Sequence, residues 1–185
     1  MKLLVAALDS ELSAFPEELD GFDRLVTGPG KLPATYGLTR ALDAKAYDEI
    51  VVVGTAGAIE PGLEATVHEV GSAFQHDVTD LDGVRGQHVS LPARVSTGRD
   101  GVLIATGDHF VEDAEVTAVI RPFGAALVDM ETYAFIWVAG QFGVPIRVLR
   151  AVSDQAEDGA LTDWREAVAR CSVQLRDVIR REYGV

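Results

Sequence analysis

The sequence predicts an α/β fold, a central sheet with helices packed on both faces. Two observations lead there. Four runs, Leu3 to Leu8, Ile50 to Val53, Val102 to Ala105 and Ile146 to Val152, are rich in Val, Ile and Leu and do not alternate with polar residues. Such runs mark strands covered on both faces. Helical patterns lie between them, and strands that alternate with helices build α/β sheets.

The elements follow in chain order. Leu3 to Leu8 opens as a buried strand. Leu25 to Thr27 is a weaker strand, and Lys31 to Leu42 is a helix after a glycine turn. Ile50 to Val53 is the second strong strand, with Thr66 to Phe74 a weaker one after it. From Asp80 to Gly101 the sequence is rich in Gly and Ser, and a hairpin and a loop near a ligand fit it equally well. Val102 to Ala105 is the third strong strand. Asp129 to Phe142 is apolar nearly all round, the pattern of a buried helix. Ile146 to Val152 is the last strand. Asp163 to Tyr183 is amphipathic, with Trp164, Val168, Val173, Leu175, Val178 and Ile179 among charges. No boundary divides the chain, so residues 1–185 read as a single domain.

Composition narrows the function. The chain has 185 residues, 48% hydrophobic and 24% charged, which is globular rather than disordered. Its formal charge is −13, from 29 acids and 16 bases. That field repels a phosphate backbone and an anionic membrane surface, so neither nucleic acid nor membrane is an expected partner. A lone Cys171 forms no intramolecular disulfide and suits a reducing cytoplasm. Asp9 and Glu11 interrupt the apolar start before any cleavage site, so it reads as a strand and not a signal peptide.

Ligands of open α/β sheets bind where strands end at their carboxyl edges. Past the first strand come Asp9 and Glu11. Gly54-Thr55-Ala56-Gly57 follows the second, and Gly107-Asp108-His109-Phe110 the third. Asp129-Met130-Glu131 opens the buried helix, and Ser153-Asp154 follows the last strand. Carboxylates thus gather on one edge, where different environments allow one to serve as acid and another as base. Each residue alone has a simpler role. Asp154 would cap a turn. Asp129 and Glu131 would favour a helix N-terminus. Glu11 would be a solvated acid, and Phe110 part of the core. Their coincidence at strand ends carries the functional reading. His68-Glu69 does not extend to H-E-x-x-H, and the four histidines lack ligand spacing, so no metal is expected. There is no dinucleotide fingerprint, P-loop or nucleophile elbow.

These residues resemble a known family, the 5′-methylthioadenosine/S-adenosylhomocysteine nucleosidases of the nucleoside phosphorylase and nucleosidase superfamily. The strongest match is VDMETYAFIWVAGQFGVPIRVLRAVSD, from Val128 to Asp154. VVVGTAGAIEPGL, TGPGKLPAT, FQHDVTD, ATGDHFVEDA and AALDSEL also have counterparts, in family order. The resemblance implies a mixed twisted sheet flanked by helices, a homodimer, a purine nucleoside as small-molecule substrate, and no cofactor. It implies roles as well. Asp154 would protonate purine N7, and Glu11 would deprotonate the attacking water. Glu131 would bind the ribose hydroxyls, with Met130 against the sugar. Phe110 would stack on the purine and the Val111 backbone would read its edge. Thr55, Ala56 and Gly57 would lie beside sugar and base, with Asp129 and Ser153 flanking them. Trp164 would lie near the 5′ substituent.

The implied chemistry is physically coherent. Cleavage of an N-glycosidic bond builds positive charge on the sugar, and adenine leaves poorly until protonated. Acid and base assistance of this kind is worth about 10²–10⁴-fold each, and carboxylates stabilise the cationic sugar. Water is the expected nucleophile. Related phosphorylases place an arginine where this chain has Val52, and a phosphate dianion beside Glu11 would be repelled. Arg147 and Arg150 read as structural, and His109 as a surface residue. The chain is shorter than its relatives between Asp80 and Gly101, where they build part of the 5′ pocket. Futalosine hydrolase, a purine nucleoside phosphorylase and a non-catalytic nucleoside-binding module therefore stand as alternatives.

Overall fold

A computed structural model describes residues 1–154, Ala156 and residues 164–185, and for Trp164 the backbone only. Among the described residues, eight strands form one mixed sheet. They are β1 (Lys2–Ala6), β2 (Phe22–Val26), β3 (Glu49–Ala58), β4 (Val67–Gln75), β5 (Val95–Ser96), β6 (Val102–Thr106), β7 (Leu127–Asp129) and β8 (Ile146–Asp154). Four helices accompany them: α1 (Lys31–Ala44), α2 (Ala114–Ile120), α3 (Thr132–Phe142) and α4 (Trp164–Tyr183). A short 3₁₀ turn spans Asp9–Leu12.

The uninterrupted apolar runs have a direct explanation. Successive side chains of a strand point to opposite faces. Leu3, Val5, Ile50 and Val52 pack with Ala34, Leu38 and Leu42 of α1 and with α3. Leu4, Ala6, Val51 and Val53 pack on the other face with Cys171, Leu175 and Ile179 of α4. Both faces are dry, so neither parity is polar. Within α4, Val173 departs from its expected stripe and is exposed.

Strand β3 is longer than its apolar core predicts. It runs through Gly54-Thr55-Ala56-Gly57, so these residues are strand and not the turn expected after it. Parallel pairing with β8 shifts register between Ala56 and Gly57. Beyond that bulge, Gly57 and Ala58 pair antiparallel with β7. A bulge bends and twists its strand, and here the bend closes a circuit. Strand β3 pairs β8, β8 pairs β4, β4 pairs β6, β6 pairs β7 and β7 returns to β3. Strands β1 and β2 extend from the N-terminal half of β3, on the edge opposite β8 that β7 takes further along.

Two further boundaries differ from expectation. Asp129 ends β7 rather than opening the buried helix, which begins at Thr132. The Asp129 carboxylate instead accepts the Thr132 N–H at 2.9 Å and its hydroxyl at 2.6 Å. The segment of uncertain structure before β6 holds only β5, paired antiparallel with β4, and a bridge between Thr79 and Arg85. No helix among the described residues is long and apolar enough to cross a membrane.

Candidate active site

The ends of β1, β3, β6, β7 and β8 converge on one cleft of about 560 Å³, measured out to its open mouth. Glu11, Thr55, Ala56, Gly57, Phe110, Val111, Asp129, Met130, Glu131, Ser153 and Asp154 all line it. Trp164 opens α4, and its side chain lies outside the described residues. The cleft wall also includes Ala7, Leu8, Pro29, His109 and Val128, none assigned to the site from the sequence. Ala7 and Leu8 follow a strand end and were open to the same rule that found Thr55. Pro29 carried no such signal. His109 is exposed, as a surface residue should be, yet it sits on the cleft wall.

Glu11 is buried rather than a solvated acid. The 3₁₀ turn after β1 points its carboxylate back across the strand ends. One oxygen accepts the N–H groups of Ala7 and Leu8, at 3.1 and 3.0 Å. The other accepts the Thr55 N–H at 2.7 Å and the Thr55 hydroxyl at 3.0 Å. Gly54 makes this approach possible. A Cβ there would lie 2.9 Å from the Glu11 oxygen and 1.9 Å from Nη1 of Arg150.

Arg150 is fully buried beneath the cleft. Its Nη2 donates to Asp129 at 2.7 Å and to the Thr132 hydroxyl at 2.8 Å, and lies 3.8 Å from Glu131. Among the described residues, Nη1 has no hydrogen-bond partner. Burial works against this charge, but Asp129, Glu131 and Glu11 outweigh it and hold the guanidinium above its ordinary value. Asp129 accepts from the Thr106 hydroxyl at 2.7 Å as well as from Thr132 and Arg150. Its acceptor positions are thereby filled by protein donors.

Three carboxylates thus face one guanidinium. Glu11 and Asp129 each take several donors, whereas Glu131 takes one backbone bond, from Gly30 at 2.8 Å. Glu131 is the group left to carry the imbalance. Burial first, then the charge of Asp129, push its carboxyl up to about 8.

The acid at the end of β8 has a different setting. Asp154 accepts the Ser153 hydroxyl at 2.6 Å and the Ala156 N–H at 2.8 Å. Gly57 lies against it, where a Cβ would come within 3.0 Å of its carboxylate.

The opposite wall is tied to the start of α1. Lys31 Nζ donates to Asp77 at 2.7 Å and to Gln75 at 2.9 Å. Asp108 accepts the Lys31 N–H and donates its own N–H to Asp77, both at 2.8 Å. Burial alone would raise the Asp77 carboxyl, but the Lys31 bond and the Asp108 N–H hold it below the usual carboxylate range. The segment that presents Phe110 and Val111 is anchored by this lattice. Phe110 is 39% exposed, so it is a wall of the cleft and not core. Among the described residues, no group of three or more His, Cys, Asp or Glu side chains is arranged to hold a metal ion.

Comparison with known proteins assigns the family. The phosphorylase superfamily model matches residues 86–181. The 5′-methylthioadenosine/S-adenosylhomocysteine nucleosidase of Geobacillus kaustophilus is 32% identical, over 85% of this chain and 79% of that protein. The chain belongs to the phosphorylase superfamily. Solved structures of the superfamily share its fold. The Neisseria meningitidis 5′-methylthioadenosine/S-adenosylhomocysteine nucleosidase, in complex with methylthio-immucillin-A, superposes with a TM-score of 0.85 at 22% identity, covering 96% of both chains. The futalosine hydrolase of Helicobacter pylori superposes with a TM-score of 0.88 at 20% identity, covering 99% of this chain and 97% of that one. The mixed sheet with flanking helices expected from the sequence is the superfamily architecture.

Proposed function

We propose that this phosphorylase-superfamily protein hydrolyses the N-glycosidic bond of purine nucleosides, with 5′-methylthioadenosine and S-adenosylhomocysteine as its substrates. The observation that carries the reading is the trio of Glu11, Glu131 and Asp154 around one cleft, each in a different hydrogen-bonding environment. The 32% identity to a nucleosidase of that specificity supports the substrate.

We assign the roles that the family resemblance implies, and the environments of the residues support them. Phe110 and Val111 hold the purine, with its N7 toward Asp154. Proton transfer from Asp154 to N7 makes the base a neutral leaving group. Glu131 and Met130 hold the sugar, with the Glu131 carboxylate facing the positive charge that develops there. Thr55 and Glu11 orient the water, and Glu11 takes its proton as oxygen bonds to C1′. Thr55, Ala56, Gly57 and Ser153 line the space between sugar and base. Asp129 acts one step back, since its acceptors are occupied by Thr106, Thr132 and Arg150. Arg150 supplies the positive charge behind the carboxylates, a role that extends its structural reading.

Water is favoured over phosphate as nucleophile. Glu11 borders the cleft, and Val52 stays sealed in the core rather than offering a cation. The same chemistry on a different 5′ group, as in futalosine, is a second reading. It is supported by the likeness in fold to the futalosine hydrolase of Helicobacter pylori. We also propose a cytoplasmic homodimer that supplies methionine salvage.

The test is base release measured by chromatography. Methylthioadenosine, S-adenosylhomocysteine, futalosine, adenosine and inosine are each offered with and without phosphate. Adenine from the thio-substrates without phosphate is the expected result. Hypoxanthine from futalosine alone would transfer the protein to the second reading, and strict phosphate dependence would make it a phosphorylase. Asp154→Asn and Glu11→Gln should each lower kcat by about 10²-fold or more, the scale of acid or base assistance. Full activity in either variant would remove that residue from the mechanism.

A further inference from the structure

We propose that Thr117 is a positioning residue that aims the acid Asp154, through the backbone of Ala156. The proposal rests on the nucleosidase reading. Ala156 is fully buried and has a φ of +49°, in the left-handed region that residues with a Cβ avoid. Such a conformation persists only where its surroundings enforce it. Two bonds do so. The Ala156 N–H donates to Asp154 at 2.8 Å, and its carbonyl accepts the Thr117 hydroxyl at 2.9 Å. Packing adds a third restraint. Gly57 lies so close that a Cβ on it would come within 3.0 Å of the Ala156 Cβ.

Thr117 is 1% exposed and stands on α2. A helical threonine commonly turns its hydroxyl to the carbonyl four residues back. Here the hydroxyl reaches across 39 residues of sequence to Ala156 instead. Val111, just ahead of α2, packs in one apolar cluster with Ile120 and Ala156. The element that follows the purine-binding segment therefore also holds the turn that orients the acid. A proton donor must sit within hydrogen-bond reach of the atom it protonates, and Thr117 couples the two positions. It is not among the residues that line the cleft.

Steady-state kinetics with methylthioadenosine test this. Thr117→Val keeps the shape and removes the hydroxyl. Thr117→Ala removes the hydroxyl without the added methyl, in case valine packs poorly. Thr117→Ser restores the bond. We expect kcat to fall roughly tenfold in the Val and Ala variants, a part of the acid's contribution. KM should stay within about twofold, because no ground-state contact is lost. The Ser variant should recover most of the rate. Unchanged kcat in Val and Ala would overturn the proposal. So would a joint change in kcat, KM and melting temperature that serine does not rescue, since that pattern marks a merely structural hydroxyl. Failure of the wild-type protein to release base from any nucleoside would instead overturn the nucleosidase reading, and this proposal with it.

Discussion

Glu131 is the carboxylate on which the charge imbalance of the site falls. It shares Arg150 with Asp129 and Glu11 but takes only one hydrogen bond from the backbone, that of Gly30. Its raised value has a consequence for stability. Below the ordinary carboxylate range both folded and unfolded chains hold the proton, and Glu131 costs nothing. Between that range and about 8, the folded state binds the proton more tightly than the unfolded state. Its contribution is therefore lost as pH rises through this window. Glu131→Gln keeps an oxygen for Gly30 and removes the charge. It should raise the melting temperature at pH 8 by about 2–4 °C for each kcal/mol relieved, with the gain vanishing toward pH 4. Thermal scans across pH check this, and equal melting temperatures at pH 8 would contradict the charge argument. The same variant should lose activity, because a neutral amide cannot stabilise a cationic sugar.

At the scale of the element, β3 decides most. Its apolar half, Ile50 to Val53, is core. Its small-residue half borders the cleft. Gly54 admits Arg150 and Glu11, Thr55 binds Glu11, and Gly57 admits Asp154 and Ala156. Neither glycine has a positive φ, so neither is there for backbone freedom. Each is there because other side chains occupy the volume of its Cβ. Gly54→Ala should accordingly cost about 1–3 kcal/mol as overpacking, and displace the only guanidinium beneath the site among the described residues. Denaturant unfolding should show the loss, with nucleoside turnover reduced alongside. Native stability in that variant would mean that Arg150 has room to move. Helix α1 acts similarly. Its start ties Glu131 through the preceding Gly30 and the Asp108 segment through Lys31, so one helix start links the Glu131 side of the cleft to the segment that carries Phe110.

At the scale of the whole molecule, two layers of helix cover a sheet whose central strands are dry on both faces. That arrangement was legible in advance, because dry strands have no polar parity to alternate. Several large apolar side chains remain uncovered, among them Leu32, Tyr36, Leu81 and Val89, which are 80, 65, 87 and 60% exposed. Leu32 adjoins Lys31, whose ammonium reaches Asp77, and the chain continues from there to Leu81 and Val89. The proposed homodimer would bury side chains of this kind, since contiguous exposed apolar surface marks association. Light scattering should give twice the 19.8 kDa chain mass, and Leu81→Asp with Leu32→Asp should shift the population to monomer. A monomeric wild-type protein would remove the homodimer from the proposal.

The sequence by itself determined the strong strands and the buried α3, and it pointed to strand ends that border the cleft, because burial and strand polarity leave local signatures. Asp9 and Asp108 do not line the cleft, however, and Ala7, Leu8 and Pro29 do. Apolar runs report dry faces, and small or acidic residues after them report a carboxyl edge. Tertiary structure alone decided the rest. Strand β7 is three residues long, too short for a pattern of its own, and it exists because β3 bends at its bulge to meet it. Whether Glu11 was solvated or buried depended on Thr55, 44 residues away. The place of Arg150 among three carboxylates, and the bond from Thr117 to Ala156, likewise join residues far apart in the chain. Such contacts are set by how the sheet closes, and no local run of residues encodes that closure.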